Sequence, residues 1–467
     1  MAALQQLLVL ALCALVTLVS AHPRSLIPRG VGIPDQDPFY DPPKGWEDKK
    51  PGDILRVRKI QPGTLEHVKW NIEGYQLLYR TSGTYEDEPS HTVTTILVPE
   101  NSHKDKLLSL QAYVDAGGAQ CSPSYVLQQG ANIETNLGMD YQNLVWTAFL
   151  NLGYTVTVPD HQGPKFAFAA GQLEGRMTLD GMRAALNFDK LGLHKNAKVV
   201  GYGYSGGAIA TGWAASLQRN YAPELNMAGW ALGGTPANIT STVLNLDGGL
   251  FAGFAVTGLT GVLQAYRDLA RKVEGRITKA GHNAINYARH HCMVANLLKF
   301  PFTRVQGERF VRNGEHIFTE PDVAKVLNTL VMGEKKEQLP TAPVLLIHSK
   351  NDEVIPYWSA KKLAQSWARM GGTIKLLTNT DVFMEHLTTE LLNTPTLATW
   401  FQNRFDGKKL KKGLQTQTVG NPLDTPQHVP EAIKEVWDLI QDLVGKEIGS
   451  GDKKFKEKIK SHAAHNN

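Results

Sequence analysis

Between Lys198 and Ala214 a short apolar run, Lys198-Val199-Val200, leads into Gly203-Tyr204-Ser205-Gly206-Gly207 and then into a helix rich in Ala208, Ala210, Gly212 and Ala214. No other stretch of the chain restricts the fold so tightly. A Gly-x-Ser-x-Gly string held between a strand and a helix is the pattern of a nucleophile elbow. Small neighbours permit the strained turn that lifts the serine hydroxyl clear, and small helix residues permit close packing on a sheet. A bare Gly-x-Ser-x-Gly recurs by chance, so the flanking strand and helix carry the weight of this reading.

The surroundings repeat the same alternation. Thr92 to Val98 and Leu110 to Val114 read as strands, Leu144 to Leu152 as the end of a helix, Tyr154 to Val158 as a strand, and Leu179 to Leu191 as an amphipathic helix. Strands alternating with helices predict βαβ units and a mostly parallel central sheet, an α/β fold. From Asn238 to about Lys336 the alternation gives way to helical character with an apolar, Gly-rich stretch, which predicts an inserted helical lid or cap. It resumes with a strand at Pro343 to Ile347, a helix from Tyr357 to Met370, a strand at Thr373 to Leu377 and a helix beginning near His386. The expected organisation is a signal segment 1–21, a core in two parts, 22–237 and 337–405, a cap insertion 238–336, a C-terminal flap 406–429, and a helix with a basic tail, 430–467.

A serine hydroxyl is a weak nucleophile, so it needs a base, and the base needs an orienting carboxylate. Downstream of the insertion, Asp352 lies in the loop after one predicted strand and His386 follows the next, where strand ends deliver both to one edge of the sheet. Asp381 and Glu385 compete for the acid role. His348 competes as base, although strand alternation predicts that it points away. An acyl-transfer intermediate also needs preorganised donors for its oxyanion. The Gly206 N–H follows the nucleophile, and Asp115, in Val114-Asp115-Ala116-Gly117-Gly118, is the natural source of the second.

Residues 1 to 21 contain no charged side chain and end in Val19-Ser20-Ala21, which reads as a secretory signal cleaved after Ala21. The competing reading is a membrane anchor, which the length permits; the small-residue end and the polar His22-Pro23-Arg24-Ser25 favour cleavage. Cleavage would leave Cys121 and Cys292, an even pair that reads as one disulfide in an oxidising compartment. A metal site on His290-His291-Cys292 with His282 is the alternative, without the usual ligand spacing. Asn238-Ile239-Thr240 is an N-glycosylation sequon. The chain's 42% hydrophobic and 20% charged residues exclude disorder and a multi-span membrane protein, and a net charge of +5 over 467 residues leaves no nucleic-acid footprint.

These strings together resemble the fungal secretory lipase family of the yeast lipase A type, within the α/β-hydrolases. The likeness rests on Tyr113 to Asp115 with Cys121 to Tyr125, Asp160-His161-Gln162-Gly163, Gly201 to Trp213, Gly233 to Pro236, Gly248 to Phe254, Asn351 to Tyr357 and Glu385 to Glu390. It spans about Phe39 to Pro422. It implies an α/β-hydrolase fold with a helical lid, a triad of Ser205, Asp352 and His386, oxyanion donors at Asp115 and Gly206, and a Cys121–Cys292 disulfide. His161 matches a family motif and is assigned a structural role. Family members can carry a second disulfide that holds the C-terminal flap; the cysteines for it are lacking here, which predicts a looser segment from Asp406 to Pro426. Ala432, Ile433, Val436, Trp437, Ile440 and Leu443 recur at helical spacing beyond the resemblance and predict a helix packed on the protein rather than on lipid.

The expectation is a secreted serine lipase without cofactor or metal. Its partners would be a lipid or small-molecule ester and a lipid–water interface, with no nucleic acid and no obligate protein partner. An esterase that deacylates a secreted small molecule such as a terpenoid is the alternative. A serine peptidase and a non-catalytic binding protein rank lower.

Overall fold

The computed structural model describes residues 31–64, 68–420, 422, 429–434 and 437–438. The expected signal segment and the tail positions Val436, Ile440 and Leu443 lie outside the described residues. Ten strands form one sheet: β1 (Ile54–Ile60), β2 (Glu73–Ser82), β3 (Pro89–Val98), β4 (His103–Gln111), β5 (Tyr154–Pro159), β6 (Lys198–Tyr204), β7 (Met227–Gly233), β8 (Val344–Ser349), β9 (Thr373–Asn379) and β10 (Gly413–Val419). Their spatial order is β1-β2-β3-β5-β4-β6-β7-β8-β9-β10. The first three form an antiparallel meander that joins β5, and every pairing from β5 through β10 is parallel. This is the expected mostly parallel sheet of an α/β-hydrolase.

Parallel strands with helices on both faces are apolar throughout, because successive side chains enter opposite cores. Along β8, Val344 and Leu346 join one core while Leu345 and Ile347 join the other. The first core also holds α3 (Gly171–Asn187), α4 (Gly206–Tyr221) and α11 (Tyr357–Arg369). The second holds α1 (Pro123–Val126), α2 (Ile133–Leu150) and α13 (Thr394–Phe405), with Ile433 and Trp437 buried against it. The beginning of the tail therefore packs on the protein.

Three elements differ from expectation. The helix expected over Leu179 to Leu191 begins at Gly171 and ends at Asn187. Gly171 and Gly175 mask its first turns, since glycine is a poor helix former. Their purpose is packing: a Cβ on Gly175 would lie 2.7 Å from the Trp213 backbone of α4. The strand expected to reach Val114 stops at Gln111, because the next carbonyl, Ala112 O, accepts a hydrogen bond from His161 rather than from a neighbouring strand. Gly413–Val419, within the expected flap, is an edge strand with seven residues in register with β9. Its alternation is mostly polar and exposed, which hid it from a search for apolar runs.

Between β7 and β8 lie α5 (Ile239–Leu246), α6 (Ala252–Ala265), α7 (Arg267–Val273), α8 (Lys279–His290), α9 (Met293–Lys299) and α10 (Pro321–Asn328). The segment holds a half-open apolar pocket of about 110 Å³, lined by residues such as Val256, Leu263, Ile285, Phe310 and Phe318. A disulfide joins Cys121, after β4, to Cys292, before α9. Cys292 is thereby unavailable as a metal ligand, and among the described residues no group of three metal-binding side chains occurs. His290 and His291 bond instead to the carbonyls of Asn286 and Tyr287 on their own helix. No helix of the described residues is long and apolar enough to cross a membrane.

Candidate active site

Five loops at the carboxyl ends of parallel strands meet at one edge of the sheet, the place where ligands bind in open α/β sheets. Ser205 ends β6 with φ 52° and ψ −123°, a strained conformation for a side-chain-bearing residue. Its N–H is held by Gly233 O at 2.9 Å and its own carbonyl accepts from Ala208 N. The flanking glycines are required by close approach rather than by flexibility. A Cβ on Gly203 would collide with Gly207 O, and one on Gly207 with Gln111 O of β4.

His386, the first residue of α12 (His386–Leu392), places Nε2 2.8 Å from Ser205 Oγ. Its Nδ1 lies 2.8 Å from Asp352 Oδ2. The other carboxylate oxygen, Oδ1, accepts from Val354 N and Ile355 N at 3.0 and 2.7 Å, so the loop after β8 orients the carboxylate through bonds that do not involve the histidine. The Ser205 and His386 residues are buried, and the Asp352 side chain is fully excluded from water although its backbone is partly exposed. Burial alone would raise the Asp352 carboxyl, but the His386 charge and the hydrogen bonds from His348 and His386 hold it well below the usual range. Burial lowers His386, and Asp352 more than reverses this, raising the imidazole above its ordinary value.

His386 is fixed by more than its acid. Glu353 accepts from His386 N at 2.9 Å and Tyr204, next to the serine, donates its hydroxyl to His386 O at 2.6 Å. Gly234 clears the space for the ring, since a Cβ there would lie 2.7 Å from His386 Cε1. Neither Glu353 nor Tyr204 was singled out in the sequence; their adjacency to Asp352 and Ser205 is the signal that could have found them.

The competitors fall elsewhere. Asp381 accepts from Phe383 N within its own turn, and Glu385 caps α12 through a reciprocal pair with Thr388. His348 does not point away from the acid. It is buried, with Nε2 at 3.2 Å from Asp352 Oδ2 and 3.1 Å from Ile355 O. Alternation applies only within the strand: the loop after Ser349 turns back, bringing Asp352 over the side chain four residues earlier.

Asp115 ends the loop after β4 at φ 47° and is buried against the elbow, with Oδ1 occupying the space a Cβ on Gly206 would need. Gly206 is the first residue of α4, so its N–H has no acceptor within the helix. Asp115 Oδ1 has no hydrogen-bond partner among the described residues, so this oxygen does not hold the loop. Burial pushes the carboxyl up to about 7, with His386 opposing the shift. Beneath the loop, His161 Nε2 donates to Ala112 O at 2.8 Å and Nδ1 faces Glu174 Oε2 at 3.1 Å, both side chains fully buried. Asp160 accepts from Ser124 N at 2.8 Å. The Asp160-His161 motif thus braces the loop that carries Asp115.

The Secretory lipase family profile matches residues 127–413. A secreted triacylglycerol lipase of Malassezia restricta is 47% identical over 427 residues, covering 91% of each chain. One from Malassezia globosa is 41% identical, covering 95% of this chain and 92% of that one. The crystal structure of Candida antarctica lipase A in its closed state superposes with a TM-score of 0.80 at 30% identity, covering 89% of this chain and 97% of that one. The chain belongs to the secretory lipase family, the secreted carboxylic ester hydrolases built on the α/β-hydrolase fold.

Proposed function

We propose that this protein hydrolyses triacylglycerols through a Ser205–His386–Asp352 triad and an acyl-enzyme. The observation that carries the reading is the unbroken chain of hydrogen bonds from Ser205 Oγ through both imidazole nitrogens to Asp352, at 2.8 Å each. In the first half-reaction His386 Nε2 takes the hydroxyl proton as Oγ attacks the ester carbonyl, and the Gly206 and Asp115 N–H groups receive the oxyanion. Collapse expels the alcohol, which leaves with the proton from Nε2. Water then repeats the sequence on the acyl-enzyme and releases the fatty acid. Asp352 stays ionised throughout, fixing the imidazole and stabilising its cation.

The substrate class is supported by the relatives named as triacylglycerol lipases and by the apolar helical segment after β7, a lid of the kind that shields long acyl chains. The test is Ser205→Ala measured on emulsified triacylglycerol and on a short soluble ester, beside fluorophosphonate labelling of the wild type. Turnover should fall by about six orders of magnitude with folding intact, since the elbow tolerates a small side chain. Retention of a tenth of the activity refutes the nucleophile. A wild type fast on soluble esters and inert on emulsions refutes the substrate and favours a small-molecule deacylase.

A further inference from the structure

We propose that Asn238 carries an N-linked oligosaccharide whose first sugars pack on Trp358 and clamp the neck of the helical insertion to the core. The chain leaves the sheet for the insertion at Ala237-Asn238 and returns at Val331-Met332. The two passes are tied side by side, with Met332 N donating to Ala237 O at 2.9 Å and a bridge pairing Asn238 with Val331. At this neck stands the sequon Asn238-Ile239-Thr240. Asn238 is extended and partly exposed, and its Oδ1 accepts from Ser241 N at 3.1 Å as the cap of α5. The oxygen is committed to the helix; the atom that glycosylation uses is Nδ2.

A second observation points to a sugar. Asn238 lines a small surface pocket with Glu334, Trp358, Ser359, Lys362 and Ser366. Trp358 is 54% exposed, the one tryptophan among the described residues that is exposed to this degree. The exposed indole stands beside the Lys362–Glu334 ion pair, both of whose side chains are exposed, and this arrangement can receive a saccharide: the sugar's C–H face stacks on the ring and its hydroxyls meet the two charged groups. Because α11 carries Trp358 and belongs to the core, a glycan rooted at the neck and seated on Trp358 adds to the contacts that already join the neck to α11, Ser366 Oγ donating to Gly333 O and Lys362 pairing with Glu334.

In the covalent step Asn238 Nδ2 attacks C1 of the first N-acetylglucosamine of a lipid-pyrophosphate-linked oligosaccharide in the secretory pathway. The N–C1 bond forms, the C1–O bond to pyrophosphate breaks, and one amide proton is lost to the transferring enzyme. Oδ1 remains free to cap α5.

The experiment uses the full chain secreted from a glycosylating eukaryotic host. Peptide mass spectrometry should find N-acetylhexosamine and hexose on Asn238. Thr240→Ala removes the sequon while keeping Asn238 as the cap, and should lower the thermal midpoint by about 1–2 °C, the shift that a small loss of stability produces in a chain of this length. Trp358→Ala should lower it similarly in the glycosylated protein and add nothing once Thr240 is replaced. An unmodified Asn238 overturns the proposal. So does a modified Asn238 for which Thr240→Ala has no effect, or for which the two substitutions act additively.

Discussion

Asp115→Asn tests the electrostatics of the loop beside the elbow. The carboxyl is buried, and burial raises it from an ordinary value of 3.8 to about 7. An acid raised on folding holds its proton in the native state while the unfolded chain releases it, so its contribution to stability falls as pH rises from about 4 to 7 and is constant above. A shift of this size amounts to about 4 kcal/mol between the protonated and ionised limits, at about 1.4 kcal/mol for each unit. Asparagine keeps the shape, cannot ionise, and leaves the Asp115 backbone N–H in place. Equilibrium urea denaturation of both proteins at pH 4.5 and pH 8 therefore gives a double difference in which the titrating groups not coupled to Asp115 cancel, the similarly raised Asp160 and Glu390 among them, while His386, His161 and Glu174, which interact with its charge, add a smaller difference. The variant should gain about 3 kcal/mol more over the wild type at pH 8 than at pH 4.5, since part of the effect has already developed at the lower pH. An equal gap at the two pH values would show that the carboxyl is not held neutral and that the loop hydrates it.

Asp352→Asn and His386→Ala should each lower kcat by about four orders of magnitude, by analogy with other triads, while Asp381→Asn stays near wild type; an essential Asp381 would misplace the acid. His348→Phe removes the second hydrogen bond to Asp352 Oδ2 and should reduce kcat by about tenfold with KM unchanged, the energy of one charge-assisted bond, and a change confined to KM would mark His348 as mere packing. Cys121→Ser with Cys292→Ser opens a loop with a sequence separation of 171 and should lower the thermal midpoint, the loop-closure limit being about 5 kcal/mol. Because the bridge ties the Asp115 loop region to the helical insertion, activity on long-chain esters should fall more than on acetates. An equal loss on both sets removes that link.

Much of the site was legible because its chemistry is local. Gly203 to Gly207 must sit between a strand and a helix, and small residues must follow, so the elbow could be recognised from its spacing together with the strand before it and the small-residue helix after it. Asp352 and His386 could be expected beside Ser205 because strand ends in a parallel sheet deliver their loops to one edge, and that topology follows from the alternation of apolar strands and helices. What local pattern could not reveal is which side chains meet across the fold. Glu353 and Tyr204 hold His386 through hydrogen bonds to its backbone, and backbone partners leave no periodic trace. His348 reaches Asp352 because a loop turns back beyond the strand, where the alternation rule ceases to apply. The polar edge strand β10 forms because β9 offers it a backbone ladder, although its side chains are largely exposed and give no apolar signal. The chain by itself determined the elbow, the order in which Ser205, Asp352 and His386 follow their strands, and the α/β alternation, since these depend on residue type and short spacing. The tertiary structure alone decided that Asp115 would be buried without a partner for Oδ1 against Gly206, because burial and electrostatic environment belong to the packed loops and to no single segment.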